Sequence, residues 1–197
     1  VQAYQQISAN VTPSTNWRRY AAFDPTHIRF PHKKYGAYTS ISRFTPVYDL
    51  EKDSTILETL EVSKATIDIG VSQRSYALLR NVTFIGLHYG NSLSPTSIQV
   101  YNDGKLIQND SLIADGNYHT YSINLSVAPN NLRIEMESKI SPDFYGLTLD
   151  GAKGITLDNV AMRGASGTVF AAMNSENFTQ MYQQLQPKVL IFQFGGN

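Results

Sequence analysis

The stretch Thr96–Asn109, "TSIQVYNDGKLIQN", decides how the chain is read. Ile98 and Val100 alternate with Ser97, Gln99 and Tyr101, the period-two pattern of a half-buried strand. Asn102-Asp103-Gly104 then interrupts it, and Leu106 and Ile107 resume an apolar segment. Asp-Gly supplies the positive φ angles of a tight two-residue turn, so the stretch is a β-hairpin.

The same alternation extends in both directions. Upstream, "KATIDIG" sets Ala65, Ile67 and Ile69 on one face, and "NVTFIGLHY" sets Ile85, Leu87 and Tyr89 against Val82, Phe84, Gly86 and His88. Downstream, "YHTYSINLSV" alternates through Tyr121, Ile123, Leu125 and Val127. "NNLRIEMES" turns Leu132, Ile134 and Met136 inward and Arg133, Glu135 and Glu137 outward, and "FYGLTLDGA" follows. Short strands at about ten-residue spacing predict a mainly β fold, a jelly-roll-like antiparallel β-sandwich over residues 61–153.

Residues 1–60 read differently. Pro13, Pro25, Pro31 and Gly36 interrupt any long helix or interior strand. This segment is expected to be irregular, with edge strands near 28–30 and 37–45 packing on the sandwich. Residues 154–197 change character again. "GITLDNVAMRG" reads as an apolar strand, "TVFAAMNSENFTQMYQQLQP" as helix with Ser175 as a cap and Pro187 as its stop, and "KVLIFQF" as a buried strand. Strand, helix and strand make a βαβ unit, one piece of a parallel sheet.

Composition narrows the function. In 197 residues, sixteen basic side chains balance sixteen acidic ones, so no basic field draws in nucleic acid. There is no cysteine, which excludes disulfides and thiolate metal sites. No apolar run is long enough to span a membrane. Histidines 27, 32, 88 and 119 show no metal-ligand spacing and read as packed or surface residues. No metal or cofactor is expected. The sequons at Asn10, Asn81, Asn109, Asn124 and Asn177 fit chance in an Asn-, Ser- and Thr-rich chain.

Reactive groups in open α/β sheets gather where parallel strands end. Those ends here read "NVAMRGASG" and "FGGN", small residues with available amides plus one carboxamide. Such groups suit an oxyanion hole. Asn159 to Gly164 has the form N-x-x-x-x-G, and Gly195-Gly196-Asn197 the form G-x-N. At these residues the chain resembles the SGNH hydrolases, the GDSL-type esterases. Across most of its length, through "NWRRYAAF", "KKYGAYTSISRFTP" and "YGLTLDGAKGITLDNVAMRGASG", it is similar to an extracytoplasmic Bacteroidetes-type subset. Those enzymes are akin to peptidoglycan O-acetyl esterases that carry an inserted β-sandwich resembling a carbohydrate-binding module.

The resemblance implies that the Gly164 amide and the Asn197 carboxamide are oxyanion donors, with Gly167 as the second choice for the first. It implies an SGNH-type α/β sheet over 154–197, an acylated glycan as partner and an extracytoplasmic location. The family's serine block and its Asp-x-x-His are absent from the sequence. Val1 is not Met, both ends look cut, and the chain reads as an internal fragment whose partner is the rest of its own hydrolase domain. Ser166 lies in "RGASG" but lacks the strained G-x-S-x-G elbow. Gly164 also fits a plain turn glycine, and Asn197 a cap or turn residue. Arg163, Trp17 and Tyr35 are the candidate substrate contacts, the aromatics by stacking on sugar rings. They equally fit a surface ion pair and aromatic staples. The alternative function is a non-catalytic carbohydrate-binding or adhesion sandwich.

Overall fold

The computed structural model describes residues 4–12, 58, 60–71, 82–152 and 175–192. They form eight strands and one helix: β1 Tyr4–Thr12, β2 Ser63–Val71, β3 Phe84–Gly90, β4 Thr96–Asn102, β5 Lys105–Leu112, β6 His119–Asn124, β7 Asn131–Ser138, β8 Asp143–Asp150 and α1 Ser175–Leu185. A five-stranded sheet runs β1-β2-β7-β4-β5 and a three-stranded sheet β6-β3-β8. Every pairing is antiparallel. The fold is mainly β, as the alternation predicts.

One apolar cluster joins the sheets. Ile67, Ile69, Ile98, Val100, Leu132, Ile134 and Met136 come from the larger sheet; Ile85, Leu87, Tyr89, Ile123, Phe144 and Leu147 come from the smaller. They pack face to face as a β-sandwich. Burying each such side chain contributes about 1.5–3 kcal/mol, which explains why the middle of the inward face is apolar. Its end row, Ser63, Ser138 and Thr96, is buried and polar, with the Thr96 hydroxyl donating to Ser138 Oγ at 3.1 Å.

The Asp-Gly turn forms as read. Asp103 and Gly104 have φ of 47° and 81°, both positive, as a primed turn needs. Asp103 also accepts hydrogen bonds from the backbone N–H groups of Asn130 and Asn131, the latter at 2.7 Å. The carboxylate thereby ties the hairpin to the entry of β7.

Three local readings change. β1 lies at 4–12, where the sequence suggested no strand. It pairs with β2 as an edge, and its register shifts between Gln6 and Ser8. That irregularity breaks the alternation a reader looks for. β6 ends at Asn124, and Val127 is exposed rather than inward. The helix runs Ser175–Leu185, with Gln186 at φ 47° donating its N–H to the Tyr182 carbonyl at 2.9 Å and Pro187 preventing continuation. The strand expected after it is not formed over 188–192. Val189, Leu190, Ile191 and Phe192 are 76%, 53%, 81% and 64% exposed. A strand exists only by pairing, and neither described sheet includes residues 189–191. The strand expected near 154–160 and the edge strands near 28–30 and 37–45 lie outside the described residues.

Candidate functional site

The residues named from sequence, Gly164, Asn197, Gly167, Arg163, Trp17, Tyr35 and Ser166, all lie outside the described residues. Besides the Asp103 turn and a buried Thr96–Ser138 pair at one end of the core, polar groups gather on the two outer faces of the sandwich and at the β5–β6 loop.

The outer face of the five-stranded sheet is a grid set by strand register. Its first row is Asp68, Arg133, Tyr101 and exposed Leu106; the second is Thr66, Glu135, Gln99 and Asn109; the third is Lys64, Glu137, Ser97 and Ser111. These positions face outward because their strand neighbours, Ile67, Ile134 and Val100, face the core. Arg133 donates to Asp68 twice, from Nε to Oδ1 at 2.7 Å and from Nη2 to Oδ2 at 3.2 Å. The Asp68 carboxylate is nearly buried while the Arg133 side chain is half exposed. Tyr101 donates its hydroxyl to Gln99 Oε1 at 2.9 Å, and Gln99 Nε2 donates to Asn109 Oδ1 at 3.3 Å. Lys64 pairs with Glu137 at 2.6 Å, which raises the lysine pKa through that hydrogen bond and charge.

The outer face of the three-stranded sheet is built otherwise. His88, on the face of β3 opposite Leu87 and Tyr89, is only 2% exposed. Its Nδ1 shares hydrogen bonds with the Tyr118 hydroxyl at 2.7 Å and the Thr120 hydroxyl at 3.1 Å, and its Nε2 meets the Thr148 hydroxyl at 3.1 Å. A neutral imidazole has one donor and one acceptor nitrogen, and hydroxyls serve either. Burial pushes the His88 pKa down to about 4 and the Tyr118 pKa up to about 12. Three rings continue in sequence, His88 on Tyr118 at 6.2 Å and Tyr118 on Tyr145 at 5.9 Å. Glycines make the room. A Cβ at Gly90 would stand 2.6 Å from the Tyr145 hydroxyl. His88 is thus a packed histidine, neutral at pH 7, with both ring nitrogens engaged by hydroxyls.

At the β5–β6 loop, Asp115 accepts from His119 Nε2 at 2.8 Å. The backbone N–H of Asn117, and then His119, hold the Asp115 carboxyl down at about 2. The His119 ring tilts over Tyr89 at 5.6 Å. The pair has the base and orienter of a triad. No serine hydroxyl is hydrogen-bonded to it among the described residues, so it supplies no activated nucleophile there. Among the described residues no group of His, Asp and Glu is placed to hold a metal ion. No helix among them is long and apolar enough to cross a membrane.

Sequence reading set Arg133, Glu135 and Glu137 outward but did not bring Asp68 or Tyr101 beside Arg133. The alternation gives the face of each residue, whereas their meeting depends on strand order, which alternation does not encode. No family model matches the chain, and no curated protein matches it.

Proposed function

We propose that this chain is a piece of a serine esterase of the SGNH hydrolase type that removes acyl groups, O-acetyl above all, from carbohydrate outside the cytoplasm. Its sandwich would be jelly-roll-like, and residues 154–197 would contribute a βαβ piece of the hydrolase sheet. The strand order supports the first: after β2 the chain passes to the other sheet for β3, returns for β4 and β5, and then crosses at each of β6, β7 and β8. The observation that carries the second is the exposed run Val189–Ile191 shortly after α1. Three consecutive large apolar side chains in water call for cover, and neighbouring parallel strands of a hydrolase domain would supply it on both faces.

In that setting an activated serine from elsewhere in the parent polypeptide attacks the ester carbonyl. The Gly164 N–H and the Asn197 carboxamide donate to the oxygen that becomes negative. The tetrahedral adduct collapses, the sugar hydroxyl leaves with a proton, and water later releases the acid from the serine. The test is hydrolysis of acetylated glycan by the parent polypeptide and its Asn197→Ala variant. The expected loss is about 10²–10³ in kcat, typical for one oxyanion donor. Residues 1–197 alone should be inactive. An unchanged rate in the variant removes Asn197 from the site.

The second reading is a non-catalytic carbohydrate-binding sandwich. It is favoured by the grid on the five-stranded sheet, where hydrogen bonds fix Tyr101, Gln99 and Arg133 before any ligand arrives.

A further inference from the structure

We infer that the outer face of the five-stranded sheet is a platform for an uncharged oligosaccharide chain, centred on Tyr101 and Arg133; this rests on the second reading above and names its site and ligand class.

Three observations carry it. First, Tyr101 and Arg133 are register partners on adjacent strands, and each is tethered at its tip, the phenol to Gln99 and the guanidinium by two bonds to Asp68. A phenol ring and a guanidinium on neighbouring strands are two planar groups at adjacent positions of the face. A pyranose ring has an apolar face of C–H groups that suits such planar groups, and fixing them beforehand lowers the ordering cost of binding. Second, the hydrogen-bonding capacity of the face is only part used. Gln99 keeps a second N–H, Asn109 keeps its whole NH₂ and Tyr101 keeps acceptor lone pairs beyond the bonds described. Sugar hydroxyls both donate and accept, so they match such a mixed set.

Third, both cations of the face are paired, and its three carboxylates, Asp68, Glu135 and Glu137, outnumber them by one. Lys64 is matched by Glu137, and Arg133 by Asp68 with Glu135 at 3.8 Å. Neither cation of this face is left for a phosphate, sulfate or uronate. The balance therefore selects an uncharged ligand over an anionic one. Four strands, β2, β7, β4 and β5, give the grid a width of about 14 Å at the usual strand spacing, room for a short oligosaccharide rather than a single sugar.

The experiment is calorimetric titration of residues 1–197 with cellohexaose, xylohexaose and chitohexaose, with heparin and polygalacturonate as anionic probes. At least one uncharged hexaose should bind. Tyr101→Ala should weaken it about tenfold or more, and Arg133→Lys, which keeps the charge but loses the planar fork, should weaken it by several-fold. Thermal melts of both variants check that the sandwich is intact; Tyr101→Phe, which keeps the ring, should retain most of the affinity. The inference is overturned if none of the three hexaoses binds, if binding survives Tyr101→Ala, or if an anionic probe binds more tightly. It is also overturned if sedimentation shows a dimer that Tyr101→Ala dissolves, since the occupant is then a second copy. The sugars carry no ester and the assay does not involve Asn197. Loss of this inference therefore leaves the hydrolase reading standing, and the reverse.

Discussion

The two sheets of one sandwich treat their outer faces in opposite ways. In β7, at the centre of the larger sheet, buried Leu132, Ile134 and Met136 alternate with exposed or half-exposed Arg133, Glu135 and Glu137. In β3, at the centre of the smaller sheet, Ile85 through Gly90 are all buried, and β8 is buried from Asp143 through Thr148. The larger sheet has a dry face and a wet face; the smaller is dry on both along β3 and β8, while its edge strand β6 is half-buried or exposed except at Ile123. A wet face can keep charges, because water and ion pairs satisfy them. A second dry face must close its own hydrogen bonds and fill its own space. So one carries Arg133, Glu135 and Lys64, and the other carries a histidine bonded to the hydroxyls of Tyr118, Thr120 and Thr148, with the buried carboxylate of Asp143 at its end accepting from the Asn91 side-chain amide.

The sharpest way to break this contrast is Tyr145→Ala. Tyr145 is fully buried, stands outside the intersheet core cluster and stacks on Tyr118. Truncation should cost about 3–5 kcal/mol, the range for large aromatic side chains in a core. Urea unfolding measures it. A cost below 1 kcal/mol would mean that the outer face of the smaller sheet is not packed as a second core.

Acid probes the same face through His88. Its pKa is about 4 when folded against 6.5 as a free side chain, the difference arising from burial. Between those values the unfolded chain takes up a proton that the folded chain refuses. Stability present above pH 6.5 is therefore lost as the pH falls toward 4, by about 3 kcal/mol over the whole window. Asp115, depressed to about 2, adds its own loss only at lower pH, as the acid falls through its folded pKa. Urea midpoints at pH 7 and pH 4.5 separate the two. In His88→Asn the slope across this window should flatten, whatever happens to the absolute stability. A wild-type midpoint that is flat from pH 7 to 4.5 would show that His88 is solvated.

This contrast also explains what the sequence could reveal. The larger sheet was legible, because Ile134 and Met136 against Glu135 and Glu137 is a period-two signal with a built-in direction. The Asp103-Gly104 turn was legible because few residues tolerate its φ angles. β3 was legible as a strand, but not which of its faces met the larger sheet, since Gly86 and His88 carry no clear preference for water or core. β1 was hidden by the register shift near Ile7. The run Val189–Phe192 looks like a buried strand in composition, yet burial belongs to the surroundings and not to the segment. The grid around Tyr101 was hidden for another reason. Asp68, Arg133 and Tyr101 are brought together only by the order β2-β7-β4, and local patterning holds no information about order. The residues proposed for the oxyanion hole were read from motif alone, and the described residues do not include them.

The finest test compares matched small changes on the two outer faces, Gly86→Ala on the smaller sheet and Ser97→Ala on the larger. A Cβ on Gly86 would lie 2.8 Å from Thr148 Oγ1, 3.0 Å from Thr120 Cγ2 and 3.3 Å from His88 Nε2. The first distance is shorter than real Cβ atoms tolerate, so Thr148 must move. Its hydroxyl is the partner of His88 Nε2 at 3.1 Å, and moving it loosens the bond that leaves the buried imidazole satisfied. One methyl group therefore both overpacks the face and disturbs its hydrogen bonds, and should cost about 1–3 kcal/mol. Ser97 is exposed on the grid's outer row, and its replacement should stay within about 0.5 kcal/mol of wild type. The pair isolates the face, since both substitutions leave an alanine in the middle of a strand. If Gly86→Ala proves as silent as Ser97→Ala, the smaller sheet has space above it that the close contacts deny. Its outer face would then be a second wet surface and not the floor of another layer.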